Sequence, residues 1–356
     1  MKLNKILALS AVLIGGLSLA SCNDPEPSAT DSTPAAEEKV SVGLGYTHSY
    51  SYTAANEEKG TAAYGQVDFT SAFVAFDEDG AIVDARIDVV QIKAEATAEG
   101  FQVKSGTLLD EAGSIKSKLE LGKDYNMVTF GGAVAEVDAQ IEAFADWSVG
   151  QTVAELKENV AAEHGYGTAP HADLEGSVTI VCHAFVDAIE SAWNNKTEAT
   201  FDKAGNAGIA MVSKVNNNYG TWELTTAVAG VLADGETVVA AQIDELVLQI
   251  EVAEDSTIAP IADQKYLDAQ GNLLSKKTLG SAYAMAPASP IQAEWDAQAA
   301  AIEDAVLGLT SAEVGALQAN AGDLEGTCTM YIGGYVSALT KAITYAGLEH
   351  VGPQAE

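Results

Sequence analysis

Leu121-Gly122-Lys123-Asp124-Tyr125-Asn126-Met127 returns 158 residues later as Leu279-Gly280-Ser281-Ala282-Tyr283-Ala284-Met285. The same offset carries Ala135-Glu136-Val137-Asp138-Ala139-Gln140 onto Ala293-Glu294-Trp295-Asp296-Ala297-Gln298, and Gly150-Gln151-Thr152 onto Gly308-Leu309-Thr310. Asp173-Leu174-Glu175-Gly176 then matches Asp323-Leu324-Glu325-Gly326 at an offset of 150, so the second copy has the shorter loop there. Matched motifs in one order at a long, fixed period are the signature of a domain duplicated in tandem. The copies are expected over residues 41–197 and 204–347, with a polar joint near Asn194 to Asn206.

Each copy reads strands first and helices later. Ser71 to Val89 reads as a hairpin turning at Asp77-Glu78-Asp79-Gly80, and Thr225 to Ile250 as its partner around Asp234-Gly235. A helix follows with Val134, Val137, Ile141 and Phe144 on one face; its counterpart carries Trp295, Ala299, Ile302 and Val306. Thr152-Val153-Ala154-Glu155 and Thr310-Ser311-Ala312-Glu313 are capping boxes, each opening a short helix. The last helix presents Cys182, Val186, Ile189 and Trp193 in one copy, and Ile332, Val336, Leu339 and Ile343 in the other. This order predicts an α+β fold, helices packed on a mainly antiparallel sheet in each copy.

The N-terminus reads differently. Lys2 and Lys5 precede an apolar run from Ile6 to Leu19, too short to span a bilayer comfortably, which ends in Leu19-Ala20-Ser21-Cys22. Small residues closing on cysteine resemble the lipobox of bacterial lipoproteins. That resemblance implies a signal peptide over residues 1–21, a lipid on the Cys22 thiol and anchoring at the outer face of the cell membrane. Residues 22–40, rich in Pro, Ser, Thr, Ala and Glu, are expected to form a disordered stalk spanning roughly 25 Å as a flexible coil.

The chain carries 51 acidic against 18 basic residues, a formal net charge of −33. A surface so acidic repels nucleic acid and anionic headgroups. Cys182 and Cys328 have no CxxC context, and a disulfide between them is left open; Cys182 is expected on the core face of its helix. His48, His164, His171, His183 and His350 show no metal-ligand spacing, so no metal site is expected, and His164 and His171, in a Gly-rich loop, read as solvent-exposed. No Ser, His or Cys arrangement suggests a nucleophilic triad, and no phosphate loop follows a strand.

One constellation remains. Before each last helix stands Asp173-Leu-Glu-Gly176-Ser177-Val-Thr179 or Asp323-Leu-Glu-Gly326-Thr327-Cys-Thr329, an Asp followed six residues later by a Thr expected at a helix start. The segment resembles the flavinylation motif of FMN-binding domains: Asp, two variable residues, then Ser/Thr-Gly-Ala-Thr. The chain departs from it in having Gly-Ser-Val and Gly-Thr-Cys in the middle. With the lipobox, the stalk and the tandem copies, the chain as a whole is similar to flavinylated extracellular electron-transfer lipoproteins of Gram-positive bacteria, the peptide-pheromone-encoding lipoprotein A type. That similarity covers nearly all of residues 41–347.

The resemblance implies up to two covalent FMN groups, joined through phosphate to the hydroxyls of Thr179 and Thr329 by a separate flavin transferase. The implied role is an electron carrier rather than an enzyme, taking electrons from a membrane quinol or dehydrogenase and passing them to extracellular acceptors. A helix start would supply unpaired N–H groups to the phosphate. Tyr125, Met127, Tyr283 and Met285 either border the flavin ring or pack as ordinary core. The alternative is a cofactor-free surface lipoprotein with a binding or structural role, in which each Thr caps its helix.

Overall fold

A computed structural model of the chain describes residues 39–348 except 59, 98–99, 105, 198–199, 203–204, 219–220, 254–256 and 318–323. The signal segment, Cys22, most of the stalk and Asp323 lie outside the described residues. The first copy contributes β1 (Lys39–Thr53), β2 (Tyr64–Phe76), β3 (Ile82–Thr97), β4 (Gly100–Val103), α1 (Lys118–Leu121), α2 (Met127–Gly131), α3 (Val137–Ser148), α4 (Val153–Asn159) and α5 (His183–Asn194). After the short β5 (Phe201–Asp202), the second contributes β6 (Asn206–Asn218), β7 (Thr221–Asp234), β8 (Thr237–Val252), β9 (Ile258–Pro260), α6 (Lys276–Leu279), α7 (Trp295–Val306), α8 (Ser311–Ala316) and α9 (Gly333–Ala346).

The fold is α+β. Both sheets are antiparallel, ordered β4-β3-β2-β1-β5 and β6-β7-β8-β9. The two expected hairpins are β2–β3 and β7–β8, and each shifts register once, at Ala75/Phe76 and at Leu232/Ala233. The same irregularity at the same place in both copies supports the duplication read from the helical segments.

Strand periodicity decides how the sheets are used. On β2, Val67, Phe69, Phe73 and Ala75 face one core, while Ala72, Val74 and Phe76 face another. On β7, Leu224, Val228 and Leu232 alternate with Ala227, Ala229 and Val231 in the same way. One set from each copy meets in a common core between the two sheets. The opposite faces pack against helices: α5 lies on β1 and β2, α9 on β6 and β7. The result is helix, sheet, sheet, helix, with the repeats joined through their strands into one compact body. At the joint, Gly230 leaves room for the Phe73 ring of the other sheet; a Cβ there would lie 2.1 Å from a ring carbon.

Polar contacts fix the mating of the sheets. Tyr46 Oη accepts from the Ser275 N–H at 3.0 Å, Arg86 Nε donates to the Ala207 carbonyl at 3.1 Å, and the Ala207 N–H donates to Asp84 at 2.7 Å. Lys341 on α9 pairs with Asp110 and Glu120 of the first repeat.

Both capping boxes are present, Thr152 with Glu155 and Thr310 with Glu313, each side chain bonding the other's backbone N–H. Val134, expected on the core face of α3, is instead half-exposed and precedes the helix, which starts at Val137. There the Glu136 carboxylate turns back to accept the Met127 and Val128 N–H groups, which sets the start of α3 and leaves Val134 in the preceding turn.

Candidate functional site

The segment carrying the two threonines folds alike in both repeats. Gly176 and Gly326 stand at φ 83° and 84°, in the left-handed region that glycine adopts without steric cost. The turn that follows is closed by its own residues. Ser177 and Thr327 each return an N–H and a hydroxyl to the carbonyl of Leu174 or Leu324, and the N–H groups of Val178 and Cys328 go to the same two oxygens. Val178 is fully buried and Cys328 partly so, which gives these positions, alanine in the flavinylation motif, a packing role.

Past the turn, each threonine is held by a glutamine. Gln140 Oε1 accepts the Thr179 N–H at 2.8 Å and its hydroxyl at 3.2 Å; Gln298 Oε1 accepts the same two donors of Thr329 at 2.7 and 3.1 Å. Both glutamines are completely buried, and their amide nitrogens are tied to the Ala135 and Ala293 carbonyls. This locks the flip of each amide and with it the position of each threonine oxygen. Thr329 is exposed and Thr179 half-buried, so both hydroxyls stand at the edge of a rigid cradle rather than inside the core.

Neither threonine stands at a helix start. α5 begins at His183 and α9 at Gly333, four residues later, with Cys182 and Ile332 in the cap positions. The glutamine takes the threonine N–H that a helical turn would otherwise use, and the chain runs on irregularly for three residues. A phosphate on either oxygen would therefore not rest on the helix dipole, and the threonines are not helix caps either.

In the second repeat the residues that follow Thr329, Met330 and Tyr331, line a cleft of about 490 Å³, within the range of roughly 300–1,000 Å³ usual for small-molecule sites. Tyr283 and Met285 line it together with Trp295, Met330, Tyr331 and Tyr335. Lys265 and Lys276 stand over the Tyr283 ring at 4.2 and 4.9 Å from its centre. Its floor is a polar chain: Trp295 Nε1 donates to the Tyr335 hydroxyl at 3.2 Å, Tyr335 donates to Glu245, and Glu245 pairs with Lys276 at 2.7 Å. Burial presses the Lys276 ammonium down, but Glu245 and Tyr283 together more than offset it and hold it above its usual value. Burial and the Glu245 charge both push the Tyr335 phenol upward.

The first repeat is built otherwise. At the positions of Glu245, Trp295 and Tyr335 it has Val89, Val137 and Phe185. Met127 is buried in the core, and Tyr125 lines a separate crevice of about 260 Å³ beside Lys93, Lys104 and Lys116. Thr179 borders a different hollow of about 540 Å³, formed with Gly176 and the loop from Ala161 to Ala172. Tyr283 and Met285 thus share a cleft beside Thr329, whereas Tyr125 and Met127 do not come together beside Thr179. Asp173 is exposed near His171, at 3.4 Å.

That loop corrects a sequence expectation. His164 is buried, its Nδ1 bonded to the Ala161 carbonyl at 2.7 Å and its Nε2 accepting the Cys182 N–H at 2.9 Å. With both nitrogens satisfied by backbone, the ring is a structural bolt. Cys182 is buried as expected; burial pushes its thiol up to about 12, and neither it nor Cys328 is in a disulfide.

Gln140, Gln298, Glu245, Lys276 and Tyr335 were not among the residues expected to form a site. The glutamines did leave a signal: a polar residue one turn from Val137 and Trp295 on the apolar face of each central helix. Among the described residues no cluster of His, Cys, Asp or Glu could hold a metal ion, and no helix is long and apolar enough to cross a membrane. No family model, curated protein or solved structure matches the chain.

Proposed function

We propose that this chain is a lipid-anchored electron carrier of the cell surface whose Thr179 and Thr329 each accept FMN through a phosphoester bond. The observation that supports it best is the repeated cradle: two threonines at corresponding positions, each with its N–H and hydroxyl on the oxygen of a buried, amide-locked glutamine. Packing alone has little need of an accessible hydroxyl so firmly positioned. The residues of the second repeat also fit the group. An exposed hydroxyl lies beside an open cleft walled by aromatic and thioether side chains, with two lysines at one end, suited to a flat ring with an electron-rich edge.

Bound there, FMN would supply the one- and two-electron chemistry, and the protein would position it and tune its potential. The chain's own contributions are separable. Gln298 aims the Thr329 oxygen, Tyr283 and Met285 offer a wall to the ring, and the Glu245–Lys276 pair sets the charge at the far end. Electrons would come from a membrane quinol or dehydrogenase and leave to an extracellular acceptor, with a separate flavin transferase installing the cofactor. The Gly-Ser-Val and Gly-Thr-Cys departures favour the second reading, a cofactor-free surface protein with a binding or structural role.

Gln298→Leu separates the readings. Co-produced with a flavin transferase, the wild-type chain should keep its yellow flavin through acid precipitation. In Gln298→Leu, where the threonine loses about 1.4 kcal/mol of hydrogen bonding, labelling of Thr329 should slow about tenfold while Thr179 is unaffected. A colourless wild-type precipitate supports the second reading.

A further inference from the structure

The pseudo-symmetry of the repeats creates two equivalent crevices where they meet, and the two differ in size and chemistry. One, of about 170 Å³, is lined by Leu44, Asn195, Gln242, Asp244, Lys277 and Thr278. The other, of about 510 Å³, has Ile209, Tyr345, Arg86 and Leu119 at the positions of Leu44, Asn195, Gln242 and Lys277. Beside the small crevice Lys277, one of its lining residues, is paired with Glu303 at 2.6 Å. In the large one Leu119 stands in place of the lysine and Ala145 in place of the glutamate, so the space is open and apolar.

The opening is therefore not a by-product of joining two copies of one domain. The same joint is narrower on the other side, where a lysine and a glutamate stand at positions that are leucine and alanine here. Ile87, Leu119, Ile141, Ala145 and Ile209 wall the large crevice. Polar residues line it too: the Arg86–Glu142 pair at 3.1 Å, Tyr345 and Asp138. Asp138 Oδ1 is shielded from solvent and has no hydrogen-bond partner. Asp296, its counterpart, has a similarly orphaned oxygen but does not line the small crevice. That oxygen is closed off, as in Asp296, but the Asp138 side chain lines the crevice, so a ligand carrying a donor can reach the carboxylate from there.

We propose that the large crevice is a binding site for a small apolar molecule bearing a hydroxyl, its ring or chain against the isoleucines and Leu119 and its O–H donated to the Asp138 carboxylate. An apolar pocket with a few convergent polar groups at the junction of two domains is the usual form of such a site. This site is separate from the Thr329 cleft and does not depend on the flavin reading.

The test uses 2-naphthol, a fluorescent apolar ring with one hydroxyl, and 2-methoxynaphthalene, which cannot donate. Titrated into residues 23–356, which contain the whole compact body, 2-naphthol should bind saturably at one site. The methoxy compound should bind about tenfold more weakly, as expected for one lost hydrogen bond. The double substitution Leu119→Lys with Ala145→Glu transplants the ion pair that stands beside the opposite crevice. It should abolish saturable binding while the circular dichroism spectrum and melting transition stay close to those of the parent. Equal binding of both compounds, or binding that survives the double substitution, would overturn the proposal. So would binding that appears only after removal of residues 349–356, since the crevice would then belong to the chain's own C-terminal segment.

Discussion

Phe73→Ala is expected to cost about 3–5 kcal/mol, the loss usual for a large aromatic side chain deleted from a packed core. Phe73 is completely buried, and it lies where the two sheets meet, seated over Gly230 of the other repeat. The sheets are closed into place around it by contacts such as Arg86 to Ala207, so they cannot readily collapse into the gap. Gly230→Ala should destabilise from the opposite side, because a Cβ 2.1 Å from the ring forces the sheets apart; overpacking of this kind costs about 1–3 kcal/mol. The two changes should be non-additive: in the double variant Phe73→Ala with Gly230→Ala, the smaller side chain makes room for the new methyl group. Urea unfolding of the four proteins measures this. A cost below 1 kcal/mol for Phe73→Ala would mean that the repeats do not depend on their shared core.

The second large effect is on pH dependence. Asp88 and Asp244 occupy equivalent places in the two repeats, both buried, each accepting its own following N–H and one from the start of the next helix. Burial raises their carboxyls to about 7 and about 6, against an ordinary value of 3.8. In the folded chain they hold their protons to higher pH than in the unfolded chain. The stability they contribute is therefore full below about pH 4 and lost as pH rises through 6 and 7. The chain should unfold at distinctly lower urea at pH 8 than at pH 5. Asp88→Asn and Asp244→Asn, which keep an acceptor oxygen without the charge, should flatten the difference, the first more than the second. Glu155 and Glu313 pull in the other direction, their carboxyls held low by the Thr152 and Thr310 backbone, but both are surface groups. A profile that rises from pH 5 to pH 8 and is unchanged by either substitution would show that both carboxylates are ionised in the folded chain without penalty.

What the residues disclosed in advance, and what they withheld, follows from the range of the interactions. The two hairpins and both capping boxes depend on neighbours a few residues apart, and each was legible. The mating of the sheets was not. Ser71 to Phe76 is nearly continuous in small and apolar side chains, so alternation there cannot say that Phe73 meets the other repeat while Val74 meets a helix. The helix starts were misread for a related reason. Ile180-Val181-Cys182 continues the apolar pattern of α5 backward, yet the chain is irregular there because Gln140 has taken the Thr179 N–H. His164 reads as exposed because its loop is rich in glycine, but its two partners are backbone groups that sequence does not display. The glutamine cradle joins residues 31 and 39 apart, beyond the reach of local pattern. The inequality of the two clefts rests on single exchanges, Glu245 for Val89 and Tyr335 for Phe185, which only the fold brings together.

The most direct test of the account is the intact mass of residues 23–356, co-produced with a flavin transferase from the same source, alongside Thr179→Ala and Thr329→Ala. The account predicts two additions, each the mass of FMN less water, with one lost in each variant. A wild-type chain of unmodified mass would contradict it.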